Sequence, residues 1–344
     1  MIPITISPSG SDDTAAIQAA DIQAMQQGAF LLFMPGRYLV NASGLTAHTS
    51  WLAPYGPATL WAMAQTWHFG TPMVSGQSGI TLAGLGFDVS QAVFGSLNYP
   101  VLNFGNTSNW TVRDCCFTGL KPLALGIYAG GAAGFRIAGN SFTMPVPANV
   151  LNQAINVSGS DGDIVDNRCM GTGMDLAGSD VRVSRNRITN WAFGGGITVQ
   201  PCVGATGFVI TDNICHGGMG LDVNNTYPSG IESWAANSVI AGNSCHGNSG
   251  FGIVVGGPDN TVSGNSCMDN GQAAPNSAGI ILYSIPGTAA TGNTVTGNTC
   301  TNTTGTTQQY GIFENAQSAP IAGNVFSGNN LAGNARGESN TTLT

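Results

Sequence analysis

From Val112 onward the apolar residues of this chain keep a fixed relation to a recurring polar bend. The bend reads "IAGNSF" from residue 137, "ITDNIC" from 210, "IAGNSC" from 240, "VSGNSC" from 262, "VTGNTC" from 295 and "IAGNVF" from 321. Asparagines mark it at Asn140, Asn167, Asn186, Asn213, Asn243, Asn265, Asn298 and Asn324, and weaker copies put Leu85 and Cys115 in the same slot. Three residues before each mark stands an aliphatic side chain, such as Ile137, Val183 or Ile240; two residues after it stands Phe, Cys or Ile188. A second alternating run lies about 13 residues upstream of most marks, as in "GMDL", "GIES", "GIVV" and "GIIL". Gly, Asn, Asp and Ser, which form turns, fill the intervals. Short strands, fixed inward positions and loops of variable length, at a period of roughly 20–30 residues, predict a single-stranded parallel β-helix. Each Gly-Asn is then one corner of a coil, and the marks stack amide on amide at ~4.8 Å. A leucine-rich horseshoe would need Leu-x-x-Leu-x-Leu, which is missing, and a propeller would need a longer period.

About ten coils are expected, giving an N-terminal cap over 1–45, the β-helix over 46–330 and a C-terminal tail over 331–344. Residues 11–28, "SDDTAAIQAADIQAMQQG", predict a capping helix. Ser11, Asp12 or Asp13 would cap it, Ile17, Ile22 and Met25 lie near one face, and Gly28 ends it. "AFLLFMPGRYLV" follows as a buried strand with a Pro-Gly turn. The cysteines fall into the same frame. Cys215, Cys245, Cys267 and Cys300 form one inward column, with Cys169 two coils earlier. Small apolar thiols suit a stacked interior, so we expect packing rather than disulfides or metal ligation.

Composition sharpens this picture. Fifty glycines among 344 residues would suit a disordered chain, but 42% hydrophobic residues with only 8% charged are enough to fill a core. A net charge of −8 and a single lysine, Lys121, argue against nucleic acid and against anionic lipid as partners. No apolar run approaches the ~18–20 residues that cross a bilayer, so membrane insertion is not expected. The first residues lack the basic and apolar regions of a secretory signal.

Most charges find structural work in this register. Arg136, Asp163 and Arg182 alternate in sign four positions before the mark, and Asp166, Arg185 and Asp212 one position before it. Such ladders are worth about 0–1 kcal/mol per pair when exposed. Asp161, Asp180 and Asp259 share a turn position. What remains lies on the "G-I-x-x" strand, whose third residue turns outward: Asn156, Asp175, Thr198 and Glu232 in successive coils. Asp175 and Glu232 are then two rungs apart, about 9–10 Å between backbones. Leaning side chains would bring the carboxyls to the ~6.5–9.5 Å of an inverting glycosidase. "GLDV", residues 220–223, competes with "GIES" for that coil's strand and would put Asp222 in place of Glu232. Thr198 or Gln200 would hold the attacking water. Trp234, on Glu232's side of its strand, with Trp191 and Tyr227 in neighbouring loops, would offer ring faces to sugars. His216 and His246 share a column and are expected to stack; no metal and no cofactor are expected.

The N-terminal segments resemble the start of the pectate-lyase-like right-handed parallel β-helix superfamily, phage tailspikes and polysaccharide depolymerases in particular. The match rests on Asp13, Thr14, Ile17, Gln18 and Ala20, followed by the contracted turn "PGRY", residues 35–38. Some 45 residues carry it. The Gly-His-Gly of polygalacturonases and the Asp-Pro-His-Asp of mannuronate epimerases are absent, His216 and His246 each following a cysteine. The resemblance implies a polysaccharide substrate, a homotrimer, and a place on a virion or outside the cell after release by lysis. On the residues themselves the leading expectation is glycoside hydrolysis by an endo-acting carboxylate pair, Asp175 with Asp222 or Glu232. The alternatives are a polysaccharide lyase, with Tyr227 or an arginine taking a proton beside a uronate, and a non-catalytic glycan-binding fibre.

Overall fold

The computed structural model describes residues 2–344 except 42–43, 63–65, 68–71, 95–98, 146–149, 225, 273, 275, 304–306, 317–318, 320 and 340–344. It divides into two compact units. One comprises residues 1–146 and 151–169, the other 147–150 and 170–344. In both, short strands pair in parallel with the strand one coil further along, as in a parallel β-helix.

In the first unit, one inward column runs Leu31, Trp51, Leu82, Val112, Ile137 and Ile164, each paired with the next and each fully buried. A second column runs Tyr38, Leu60, Phe87, Phe117 and Phe142. Its Phe rings stack 5.0 Å and 4.5 Å apart, a spacing imposed by the strands. The helix Thr14–Gln26 covers this unit's first strands. Asp13 occupies its N-cap, but its carboxylate accepts hydrogen bonds from Ser9 N (2.8 Å) and Leu39 N (3.0 Å) instead of capping. The buried helix face is Ile17, Asp21 and Ala24; Ile22 and Met25, expected inside, are 37% and 46% exposed. A carboxylate with every lone pair engaged displaced the apolar pair. The ion pair expected between Arg136 and Asp163 is present at 2.8 Å.

In the second unit the columns are Val183, Ile210, Ile240, Val262, Val295 and Phe326, and Ile188, Cys215, Cys245, Cys267 and Cys300. All eight cysteines are thiols; Cys116 and Cys202 are exposed and the other six buried. Three amide ladders hold three corners. One runs from Asn186 through Asn213, Asn243 and Asn265 to Asn298, each amide nitrogen donating to the next carbonyl at 2.9–3.0 Å. Its last member is Asn329, not Asn324. Asn324 instead ends a parallel ladder from Asn260 through Asn293, and a third runs Asn248, Asn270 and Gln308. The final coil is therefore set five residues later than the sequence pattern suggested. Residues 337–339, expected in a tail, form a strand paired with Tyr310–Ala316. The turn aspartates Asp180 and Asp259, with Asp212 and Arg185 beside the marks, adopt left-handed backbone at φ 55–57°, which Asp tolerates through local hydrogen bonding. No helix among the described residues is long and apolar enough to cross a membrane.

Candidate functional site

The expected outward column exists. In the second unit Asp175, on the strand Gly173–Ser184, pairs with Thr198 on Ile197–Val199, which pairs with Glu232 on Ile231–Ser233. Of the two segments competing for the third position, "GIES" forms the strand. Asp222 lies in the loop before it, because its carboxylate satisfies the loop backbone. Its Oδ1 accepts from Asn224 N (2.8 Å) and Thr226 N (3.0 Å), its Oδ2 from Thr226 Oγ1 (2.7 Å) and Gly194 N (3.4 Å). Asp222 is thereby 4% exposed, and it holds two loops together.

Glu232 is half-buried and its carboxyl is hard to ionise. Burial is the main cause; repulsion from Asp222 and Asp175 adds to it, and a hydrogen bond from Ser229 works against it. The result is a pKa pushed up from 4.5 to about 7. All three acids thus share one electrostatic neighbourhood. Asp175, at the other end of the column, accepts a 2.7 Å hydrogen bond from Gln200 Nε2 on an exposed edge. Thr198 is 8% exposed, and its hydroxyl oxygen accepts from Gly195 N at 3.0 Å. That contact folds the Gly194–Gly196 run across the column. A Cβ on Gly195 would lie 2.7 Å from Thr198 Oγ1 and 3.2 Å from Glu232 Cγ, so glycine is required there.

The aromatic expectations divide. Trp234 is half-buried, lies over Gly256 and meets the Tyr283 ring at 5.9 Å and 59°, a ledge on Glu232's side of the strand. Tyr227 is half-buried in the loop after Asp222. Trp191 is fully buried and offers no face to a ligand. Its Nε1 donates to Gly194 O at 3.2 Å, and Gly218 approaches its ring so closely that a Cβ would come within 2.7 Å. Trp191 is a floor beneath the glycine loop. Sequence reasoning missed Ser229, Gly195 and Thr226; the Gly-Gly-Gly run before a strand was a readable sign of close backbone approach.

His216 and His246 stack with centroids 4.1 Å apart, His216 Nδ1 lying 3.0 Å from His246 O. Burial, then the neighbouring His216, lowers the His246 pKa, which suits a neutral structural stack. Among the described residues no group of three or more His, Cys, Asp or Glu is arranged to hold a metal.

Comparison with solved structures gives the same architecture. The Dettilon tailspike protein superposes with a TM-score of 0.62 at 17% identity, over 98% of this chain and 69% of that one. The A-module of a mannuronan C-5 epimerase of Azotobacter vinelandii gives 0.59 at 16%, over 96% of each. A mutant tailspike of E. coli bacteriophage HK620, in complex with a pentasaccharide, gives 0.65 at 12%, over 93% of this chain and 64% of that one. At these identities the likeness shows the fold alone. No curated protein matches the chain by sequence. The family model of the right-handed β-helix region matches residues 154–344, and the chain belongs to that family.

Proposed function

We propose that this chain binds a polysaccharide along the first coils of its second unit and hydrolyses it there. Glu232 is the proton donor to the leaving oxygen and Asp175 the base that activates water. The observation that carries this reading is the asymmetry of the two carboxyls. One is desolvated, crowded by two acids and able to keep its proton near neutrality; the other sits at an exposed edge, steadied by Gln200. Environments that separate two carboxyls in this way assign acid and base. Their two-rung separation, about 9–10 Å between backbones, leaves room for a water and favours inversion. Asp222 adds negative charge that, after burial, favours the protonated form of Glu232, and it ties down the loop beside it. Trp234 and Tyr283 provide apolar surface for a sugar face. The tailspike and epimerase neighbours, whose names refer to saccharides, support a polysaccharide as the substrate class.

A panel of bacterial surface and extracellular glycans, scored for binding and for new reducing ends, tests this reading. Hydrolysis predicts chain shortening without an unsaturated product, abolished by Asp175→Asn with binding kept. An unsaturated, ultraviolet-absorbing product would assign a lyase, and binding without shortening a glycan-holding fibre. The homotrimer expected from the tailspike resemblance belongs to the same proposal, and light scattering that returned the 35.0 kDa of one chain would remove it.

A further inference from the structure

In the first unit, Asp21 is fully buried on the helix Thr14–Gln26. Its Oδ1 accepts from Thr49 N (3.2 Å), Thr49 Oγ1 (2.9 Å) and Trp51 Nε1 (2.7 Å). Its Oδ2 accepts from His48 N (3.0 Å) and lies 2.7 Å from His48 Nδ1. Tethering the helix to the chain below accounts for the Thr49, Trp51 and backbone contacts, since every residue but proline has an N–H to give. The ring contact needs a further reason. A carboxylate on Nδ1 fixes the orientation of the imidazole and leaves Nε2, on the far side of the ring, for another partner.

The His48 side chain is 31% exposed and lines an open cleft of about 640 Å³. Arg113 lines the same cleft, with Met25, Ser50, Leu52 and Thr81. In strand register Leu52 pairs with Ala83 and Ala83 with Arg113, so one small side chain separates an apolar floor from a guanidinium. Arg113 Nη1 donates to Asp114 Oδ2 at 2.7 Å; a guanidinium has five N–H groups in all.

We propose that this cleft is a second saccharide site, specific for a sugar unit that carries a carboxylate. The guanidinium takes the carboxylate, whose planar geometry it matches. His48 Nε2 hydrogen-bonds a ring hydroxyl, which can give or take the proton, and Leu52 and Met25 lie against the apolar edge of the ring. Asp114 competes with the ligand for Arg113 and repels it, so it sets the affinity. Only the saccharide nature of the ligand rests on the function proposed above; the cleavage site shares no residue with this one.

The test titrates the full chain with glucuronate, glucose and inorganic phosphate, by calorimetry and by the ¹⁵N shift of the His48 ring. Glucuronate should bind at least about tenfold more tightly than glucose or phosphate, the scale of one charge-assisted pair, and should shift His48 Nε2. Arg113→Gln should reduce glucuronate to the level of glucose. Asp114→Asn should tighten it; Asn tolerates the left-handed backbone there (φ 55°). Glu232→Gln should leave the affinity unchanged, which separates failure here from failure of the cleavage site. Equal binding of glucuronate and glucose, an unaltered Arg113→Gln, or preference for phosphate would each overturn the proposal.

Discussion

Glu232 and Val254 face each other across one rung of the same sheet, in the same outward position of successive coils. Beyond Val254 the column continues with Ile281 and Phe313. Val254 and Ile281 are 4% and 1% exposed, so an outward position in these later coils is covered. One side of Glu232 therefore borders an apolar floor, while the other borders Thr198 and, beyond it, the exposed edge where Gln200 holds Asp175. The backbone repeats; the environment does not. A carboxyl at the boundary between the two environments is desolvated enough to keep its proton, and that boundary is what makes the middle coils chemically distinct.

The comparison can be broken at several places. Glu232→Gln keeps the shape and removes the proton donor. Cleavage should fall by about 10²–10⁴, the usual contribution of a positioned general acid, as read by reducing-end release. Val254→Glu moves the boundary by one rung. It places a charge in a covered position about 4.8 Å from Glu232 and should cost about 3 kcal/mol in denaturant titration at pH 8. Below pH 7, where protons are taken up, the loss should shrink. The smallest effect concerns stability alone. Glu232 binds its proton more tightly folded than unfolded, so its contribution turns unfavourable as pH rises from about 4.5 to about 7, with the full penalty present above 7. Glu232→Gln should therefore stabilise the chain at pH 8 relative to pH 4, by on the order of 1–3 kcal/mol.

The inward columns and the outward column were legible in the sequence, because strand alternation and a stacked core leave few choices at each position. Asp175, Thr198 and Glu232 appear in the register their spacing implied. The loops were harder to read. "GLDV" alternates like a strand, yet Asp222 satisfies Asn224 and Thr226 N–H groups locally and makes a loop. Trp191 looked like a sugar platform, but glycines at 196 and 218 open space for it to sink inward. The last coil carries Gly-Asn pairs five residues apart, Asn324 and Asn329, and each suits one of two amide ladders. Only the pairing of Val295 with Phe326 decides between them. On the helix, an apolar pattern cannot anticipate that Asp21 is buried by its partners in place of Ile22 and Met25.

The central claim is that Glu232 holds its proton near neutral pH, and one titration tests it without knowledge of the glycan. The chain contains three glutamates, Glu232, Glu314 and Glu338, so selective ¹³C labelling of glutamate gives three side-chain carboxyl signals. Followed by NMR against pH, one should titrate near 7 and be missing from Glu232→Gln. If none of the three titrates above about 5, close to the ordinary glutamate range, the acid and base assignments made here are wrong.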